Sequence, residues 1–344
     1  MSTEPVPGLS ANDWRLACRM ASGAFAGWTL ATLLSLPYAA FYAVYPLVLI
    51  GLSPALDRHI ALQFLVAAPT GMIAAGIMLG VFSVHPVLMT ASYLAFVIVC
   101  FRLMTSPRRL FMFGAISLSV CSALVHYGSY PEVSWQQLFW AVGGSLVFSV
   151  ASYLLSFAVF PDVEPRTPRA PPPRSAAQRH HLVLLCAVGA TGSFVFFQIF
   201  EASDSLSAQM ATVLILLGLS HEGIWSAGYA RLHGSVVGSV HATLAQLAIS
   251  GHSGFWPLTA CVFLIGLLWF SADHARSRTG PGKGFAAVTA LAILFGQLQP
   301  SDDLIQNSLY RGVSVVISIS LMLVFILLLH HMLNRLPATR WSND

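Results

Sequence analysis

Charge is what this chain has least of. Only 9% of its 344 residues are Asp, Glu, Lys or Arg, against 56% hydrophobic residues and a mean hydropathy of +0.73. A soluble domain of this length cannot cover its surface with so few charges, so a polytopic membrane protein is expected. The spacings that mark chemistry are also missing. The five cysteines (Cys18, Cys100, Cys121, Cys186, Cys261) lie in apolar runs without a CxxC, and read as small buried hydrophobes rather than disulfides, metal ligands or nucleophiles. No His/Asp/Glu cluster has metal-ligand spacing, and there is no GxGxxG, GxSxG or paired-carboxylate arrangement. Gly280-Pro-Gly-Lys283 lacks the leading glycine and following Ser/Thr of a phosphate loop, so an ATP-driven pump is not indicated. The expectation is a non-enzyme that requires no cofactor or metal. A net charge of +4 carries no nucleic-acid signal, because the basic residues fall in loops flanking the apolar runs. The N-terminus lacks an Ala-x-Ala exit site before its first apolar span, which is expected to persist as a helix.

What is present is apolar sequence in twelve segments. They cover roughly 17–37, 39–53, 60–82, 86–101, 110–127 and 135–160, then 181–200, 208–221, 230–250, 254–272, 284–298 and 305–334. A span needs about 20 apolar residues, fewer where neighbouring protein shields the backbone. Between the two sets lies a Pro- and Arg-rich stretch with no amphipathic period, read as a linker stiffened toward polyproline geometry. The expected organisation is therefore a first repeat over 1–160, a linker over 161–180 and a second repeat over 181–344. With a cytoplasmic N-terminus, every Lys and Arg except Arg311 falls on the cytoplasmic side, and the opposite loops contain none, as the positive-inside rule requires. Both termini are expected inside, with six spans per half.

One pattern occurs twice, about 167 residues apart. Tyr45 to Ser53 ends in Gly51-Leu52-Ser53, and Thr212 to Ser220 ends in Gly218-Leu219-Ser220. Each serine is followed 18 residues later by a glycine, Gly71 and Gly238. The spacing suggests an internal duplication, and segments 2 and 8 are short at matching positions. Six spans per half is an even number, so the halves would enter the membrane in the same direction, as parallel repeats of an all-α fold with about twelve transmembrane helices.

Arg231-x-x-Gly234-Ser-x-x-Gly238, together with the short span ending in a polar turn, resembles the fusaric-acid-resistance and aromatic-acid-exporter family of bacterial inner-membrane proteins. The first copy departs from this motif: Gln63 precedes Ala67, Pro69 and Gly71, and only the last glycine survives. Family members carry a large cytoplasmic domain that is here reduced to the linker, so the chain looks like a compact, membrane-only branch. The resemblance implies efflux of small organic anions, aromatic ones among them, together with a periplasmic adaptor protein.

The candidate pathway residues are Arg311, His241, Arg231, Gly234, Gly238, Gly71, Ser53 and Ser220. Arg311 lies within the last segment, where an ionised group costs about 2.5–3.5 kcal/mol to insert unless it faces a partner or a wet cavity. It suits an anionic substrate, since guanidinium grips carboxylate with two hydrogen bonds; alternatively it snorkels outward or pairs with Asp302 or Asp303. Arg231, Gly234 and Gly238 either pack closely against a neighbouring helix or border a pathway whose inner mouth holds Arg231, His221 and Glu222. His241 suits proton coupling, or is a neutral histidine bonded to a helix carbonyl. Glu201, Asp204, Asp302 and Asp303 mark outer loops as solvated charges or an adaptor dock. The substrate is expected between the halves. Besides the lipid bilayer, the partners are the anion, the adaptor and, as an open alternative, further copies of the chain, with no nucleic acid. An anion channel and a non-transporting scaffold remain the competing readings.

Overall fold

The computed structural model describes residues 8–53, 55–106, 110–164, 174–200, 206–249, 255–277, 282–296 and 304–341, without the side chains of 206, 207, 221 and 304–311. Twelve α-helices account for most of the described residues, and no strand occurs among them. They are α1 (Ala11–Leu33), α2 (Ala39–Leu52), α3 (Arg58–Phe82), α4 (Pro86–Met104), α5 (Phe111–Gly128) and α6 (Trp135–Val159), then α7 (Ala176–Ile199), α8 (Leu206–Leu216), α9 (His221–Ile249), α10 (Trp256–Ser277), α11 (Lys283–Gly296) and α12 (Leu304–Asn334). Helices are what such a sequence must form, because a backbone in hydrocarbon has to satisfy its own hydrogen bonds. Seven are long and apolar enough to cross a membrane: α3, α4, α5, α6, α7, α10 and the Gly312–Asn334 part of α12. Large apolar side chains remain exposed at helical spacing, such as Ile73, Ile77 and Val81 on α3 and Val313, Ile317 and Leu321 on α12. The chain is a multi-pass membrane protein.

Each expected segment is one helix, and the differences lie at the ends. α1 begins at Ala11 because Ser10 and Asp13 cap each other's backbone N–H groups; Ser175 and Gln178 do the same for α7 and draw the end of the expected linker into helix. α9 begins at His221, nine residues before the expected 230, because Oγ of Ser220 accepts from the Gly223 N–H at 2.9 Å and caps the first turn. α2 and α8 are indeed short, at 14 and 11 residues. α8 therefore rises only about 17 Å, against roughly 30 Å of hydrocarbon.

The chain divides into two compact units, and these do not follow the halves of the sequence. One comprises residues 1–57, 144–168 and 233–309, the other residues 58–143, 169–232 and 310–344. In the first, α1 packs on α2 and α10, and α11 packs on α10 and α2. In the second, α7 packs on α8 and α4, and α5 packs on α4 and α8. Moving each helix number by six turns one set of pairings into the other.

The same correspondence holds in detail. In the second unit a Cβ added at Gly71 on α3 would stand 2.6 Å from the Ser117 carbonyl and 3.0 Å from Val120, both on α5. In the first unit a Cβ at Gly238 on α9 would stand 2.5 Å from the Ala287 carbonyl on α11, and one at Gly234 would strike the Lys283 carbonyl. Gly71 to Val120 and Gly238 to Ala287 are both intervals of 49 residues. Small residues thus bring two helix backbones together in one register in each unit. Gly80, by contrast, has open space around it. Gly238→Leu is expected to destabilise the protein by about 1–3 kcal/mol through overpacking, read as a lower melting temperature in detergent, while Gly80→Leu leaves melting unchanged.

Candidate functional site

The two Gly-Leu-Ser ends are held by different devices. After α2, Ser53 is 1% exposed, and its hydroxyl lies 3.0 Å from the Tyr153 hydroxyl of α6 and 3.1 Å from the Ala55 carbonyl. Tyr153 also donates to the Ala55 carbonyl at 2.8 Å and accepts from the Asp57 N–H at 3.2 Å. One phenol thereby ties the turn leading into α3 to α6. After α8, the chain reverses through Leu219 at φ +45°, a left-handed conformation unusual for a branched residue. The Leu219 carbonyl accepts from Arg174 Nη2 at 3.1 Å. Ser53 and Ser220 therefore hold turns, Ser53 through Tyr153 and Ser220 as the cap of α9.

Gly71, Gly234 and Gly238 occupy the close helix contacts described above. Arg231 does not open α9: it lies ten residues beyond His221, about 15 Å along the axis, and is half-buried. The expected ring of Arg231, His221 and Glu222 is thus spread over three turns of one helix. His241 is half-buried, its ring edge-on to Phe270 at 5.3 Å and seated where Gly266 of α10 leaves room. A Cβ at Gly266 would come within 3.0 Å of His241 Nε2. Arg311 falls within α12, but its side chain lies outside the described residues, as does that of His221. Glu201, Asp204, Asp302, Asp303, Arg108, Arg109 and the linker residues 165–173 also lie outside them.

Three clusters follow from no local spacing. Arg19 is fully buried in the first unit, with Nη2 2.7 Å from the Asp162 carboxylate and its guanidinium carbon 3.8 Å from the centre of the Phe157 ring. Burying such a pair is tolerable because charge, hydrogen bond and aromatic face all meet. Trp28 of the same unit lies against Trp256 at 6.0 Å and Phe263 at 5.1 Å, and Phe263 stacks on Phe295 at 4.7 Å.

The second unit has a polar cluster on the corresponding helices. Tyr93 of α4 lies 4.7 Å from Phe194 of α7, and its hydroxyl is 2.7 Å from the Ser122 hydroxyl of α5. Ser193 of α7 donates to Gln209 Oε1 at 3.1 Å and lies 2.7 Å from the Thr212 hydroxyl, both on α8. Trp28 with Phe263 joins α1 to α10 as Phe194 with Tyr93 joins α7 to α4; beside these ring contacts the first unit has the Trp28 N–H on the Phe295 carbonyl at 3.2 Å, and the second the larger hydroxyl and amide cluster. The only hint in the sequence was Gln209 and Thr212, three apart on a short helix. Among the described residues no group of three or more His, Cys, Asp or Glu is placed to hold a metal.

With this geometry in view, the comparisons fall in place half by half. Residues 16–155 match a family model described as a protein of unknown function (DUF2955), and residues 186–325 match one described as fusaric acid resistance protein-like. Neither the curated proteins nor the solved structures include a significant match to the chain. The class is an all-helical, multi-pass membrane protein related to transport. Over residues 186–325, most of its second half, the chain is similar to the fusaric acid resistance-like proteins.

Tyr153→Phe removes the hydroxyl shared by Ser53, Ala55 and Asp57, and is expected to destabilise the protein by about 1–3 kcal/mol. Thermal melting reads the loss, and amide exchange should rise at residues 53–57 with little change in the turn around Leu219.

Proposed function

We propose that the protein is a secondary transporter that exports small organic anions, aromatic acids among them, across a bacterial inner membrane. The observation that carries this reading is the fusaric acid resistance-like match at 186–325, on a helical core whose two compact units repeat one set of pairings. Both the equal pairing and the common 49-residue register support an internal duplication of six helices. The duplication is our inference from those correspondences. Each unit combines helices one and two of one repeat with helices three, four and five of the other.

Export would draw on the proton gradient or the membrane potential, and a periplasmic adaptor would extend the route outward. Arg311 is the proposed counter-charge, from its place in an otherwise uncharged stretch of α12, and His241 the proposed proton-linked group. Both termini and the 161–180 region would face the cytoplasm, as the distribution of arginines suggests.

Inside-out vesicles test the activity directly. Labelled benzoate should accumulate against its gradient in energised vesicles, and collapse of the gradient should abolish uptake. Downhill flux without accumulation would indicate a channel; absence of flux with the adaptor supplied would leave a scaffold. Arg311→Ala should lower the rate at least about tenfold, the equivalent of 1.4 kcal/mol, while Arg340→Ala preserves it. For sidedness, in a cysteine-free background, Glu164→Cys should react with an impermeant maleimide only from the inner face, and Ser134→Cys only from the outer face.

A further inference from the structure

Hydrogen-bonding side chains along the middle of α9 fall on one face of the helix. Arg231, Ser235, Ser239 and Thr243 recur at intervals of four, and Gln246 follows three residues on. At about 100° per residue these side chains share an arc of roughly 120°, over a rise of about 22 Å. No Asp or Glu occurs between residues 231 and 246. The flanks of this face have other uses. On one side Gly234 and Gly238 meet the backbone of α11. On the other, Val236, Val240 and Leu244 are exposed apolar side chains suited to lipid. The polar face between them is covered to varying degrees: Ser235 and Gln246 are buried, and Arg231, Ser239 and Thr243 are half-buried.

A hydroxyl on a buried helix commonly donates to the carbonyl four residues back. Thr243 does so to Ser239 at 2.9 Å, as do Thr70, Ser149 and Thr289 on other helices. Ser235 and Ser239 do not. Neither hydroxyl has a hydrogen-bond partner among the described residues, although Ser235 is only 6% exposed. A buried polar group left unpaired costs free energy. Bonding between helices would account for hydroxyls here, but these two make no such bond among the described residues.

The first half of the chain shows that packing at this place does not ask for polarity. The interval of 167 residues that carries Gly238 onto Gly71 carries the five positions onto Phe64, Ala68, Met72, Gly76 and Leu79 of α3. That face is apolar and closed by α6. A Cβ at Gly143 of α6 would stand 3.4 Å from Met72, and one at Gly76 would stand 3.6 Å from Phe139 of α6. The hydroxyls of α9 therefore exceed what helix contact requires.

We propose that the Arg231–Ser235–Ser239–Thr243 face of α9 lines a wet route along which the carboxylate of a small organic anion passes. The route rests on the export reading above and gives it a surface. Hydroxyls not spent on their own backbone can replace water around a carboxylate, and the Arg231 guanidinium adds positive charge at one end. With no acidic side chain on the face, nothing along it repels an anion.

Thiol labelling in lipid discs, which expose both sides of the protein to the reagent, tests the route. A cysteine reacts with a charged methanethiosulfonate as the thiolate, which forms in contact with water and not in hydrocarbon. In the cysteine-free background, Ser235→Cys, Ser239→Cys and Thr243→Cys should react at least about tenfold faster than Val236→Cys, Val240→Cys and Leu244→Cys, their neighbours at equal depth. Saturating benzoate should slow the first three about threefold or more by occupying the route, and leave the others unchanged. Equal labelling of the two sets, an unreactive polar face, or labelling indifferent to benzoate would each overturn the route. Benzoate accumulation in vesicles separates this from the export reading. Where accumulation is intact, those results remove the α9 face alone; where the unsubstituted protein accumulates nothing, the export reading falls and takes the route with it.

Discussion

Close approach of helix backbones in one fixed register is the constraint on which the rest of this structure depends. In hydrocarbon no hydrophobic force draws helices together, so packing must come from surfaces that allow many atoms to touch. Gly71 on α3 and Gly238 on α9 provide such surfaces against α5 and α11, where a methyl group would meet backbone. Because Gly71 faces Val120 and Gly238 faces Ala287 at the same 49-residue interval, α3–α5 and α9–α11 are set alike. The partner helices α4 with α10, and α8 with α2, then have equivalent positions to fill. A change at one glycine would disturb a whole unit, since α5 and α11 each pack on two or more further helices.

The two units share a scaffold and differ in what fills it. Where the first stacks Trp28, Phe263 and Phe295, the second places Tyr93, Ser122, Ser193, Gln209 and Thr212. Aromatic stacking stabilises through area and ring geometry, and the Trp28 N–H within it is satisfied by the Phe295 carbonyl at 3.2 Å. A buried hydroxyl and amide cluster stabilises only while every member stays paired. The second arrangement is therefore less tolerant of helix displacement, and the chemistry of the two units is unequal although their pairings correspond. The polar contacts are also unequal: the pair of buried Arg19 with half-buried Asp162 belongs to the first unit, the His181–His330 contact to the second.

Helix number and order were legible because an apolar run in a chain with so little charge has few other ways to satisfy its backbone. The recurrence of Gly71 and Gly238 after a Gly-Leu-Ser end was legible too, although its meaning is helix contact. Helix starts were less so, since hydropathy stops where Ser10, Ser175 and Ser220 begin to cap polar turns. That is why Arg231 reads as an opening residue in the sequence and lies deep along α9 in the structure. Tyr153, the Tyr93 cluster and the His181–His330 contact were invisible for a different reason. Each joins residues 29 to 158 apart through one side chain, and no periodicity encodes which distant partner a lone polar group meets.

The chain leaving α6 and the chain leaving α12 are tied back by side chains of different chemistry. The helix that begins each half, α1 or α7, must be joined to the chain leaving that half, or the last helix is free at its end. After α6 this is done with arginine and carboxylate, Arg19 of α1 pairing with Asp162 at 2.7 Å. After α12 it is done with two imidazoles and an amide: His181 of α7 lies 2.6 Å from the Thr339 carbonyl and 2.9 Å from His330, which lies 3.0 Å from Asn334. The histidine contact thus lies in the half of the chain that carries the fusaric acid resistance-like match, and the arginine–carboxylate pair in the half that matches the other family model.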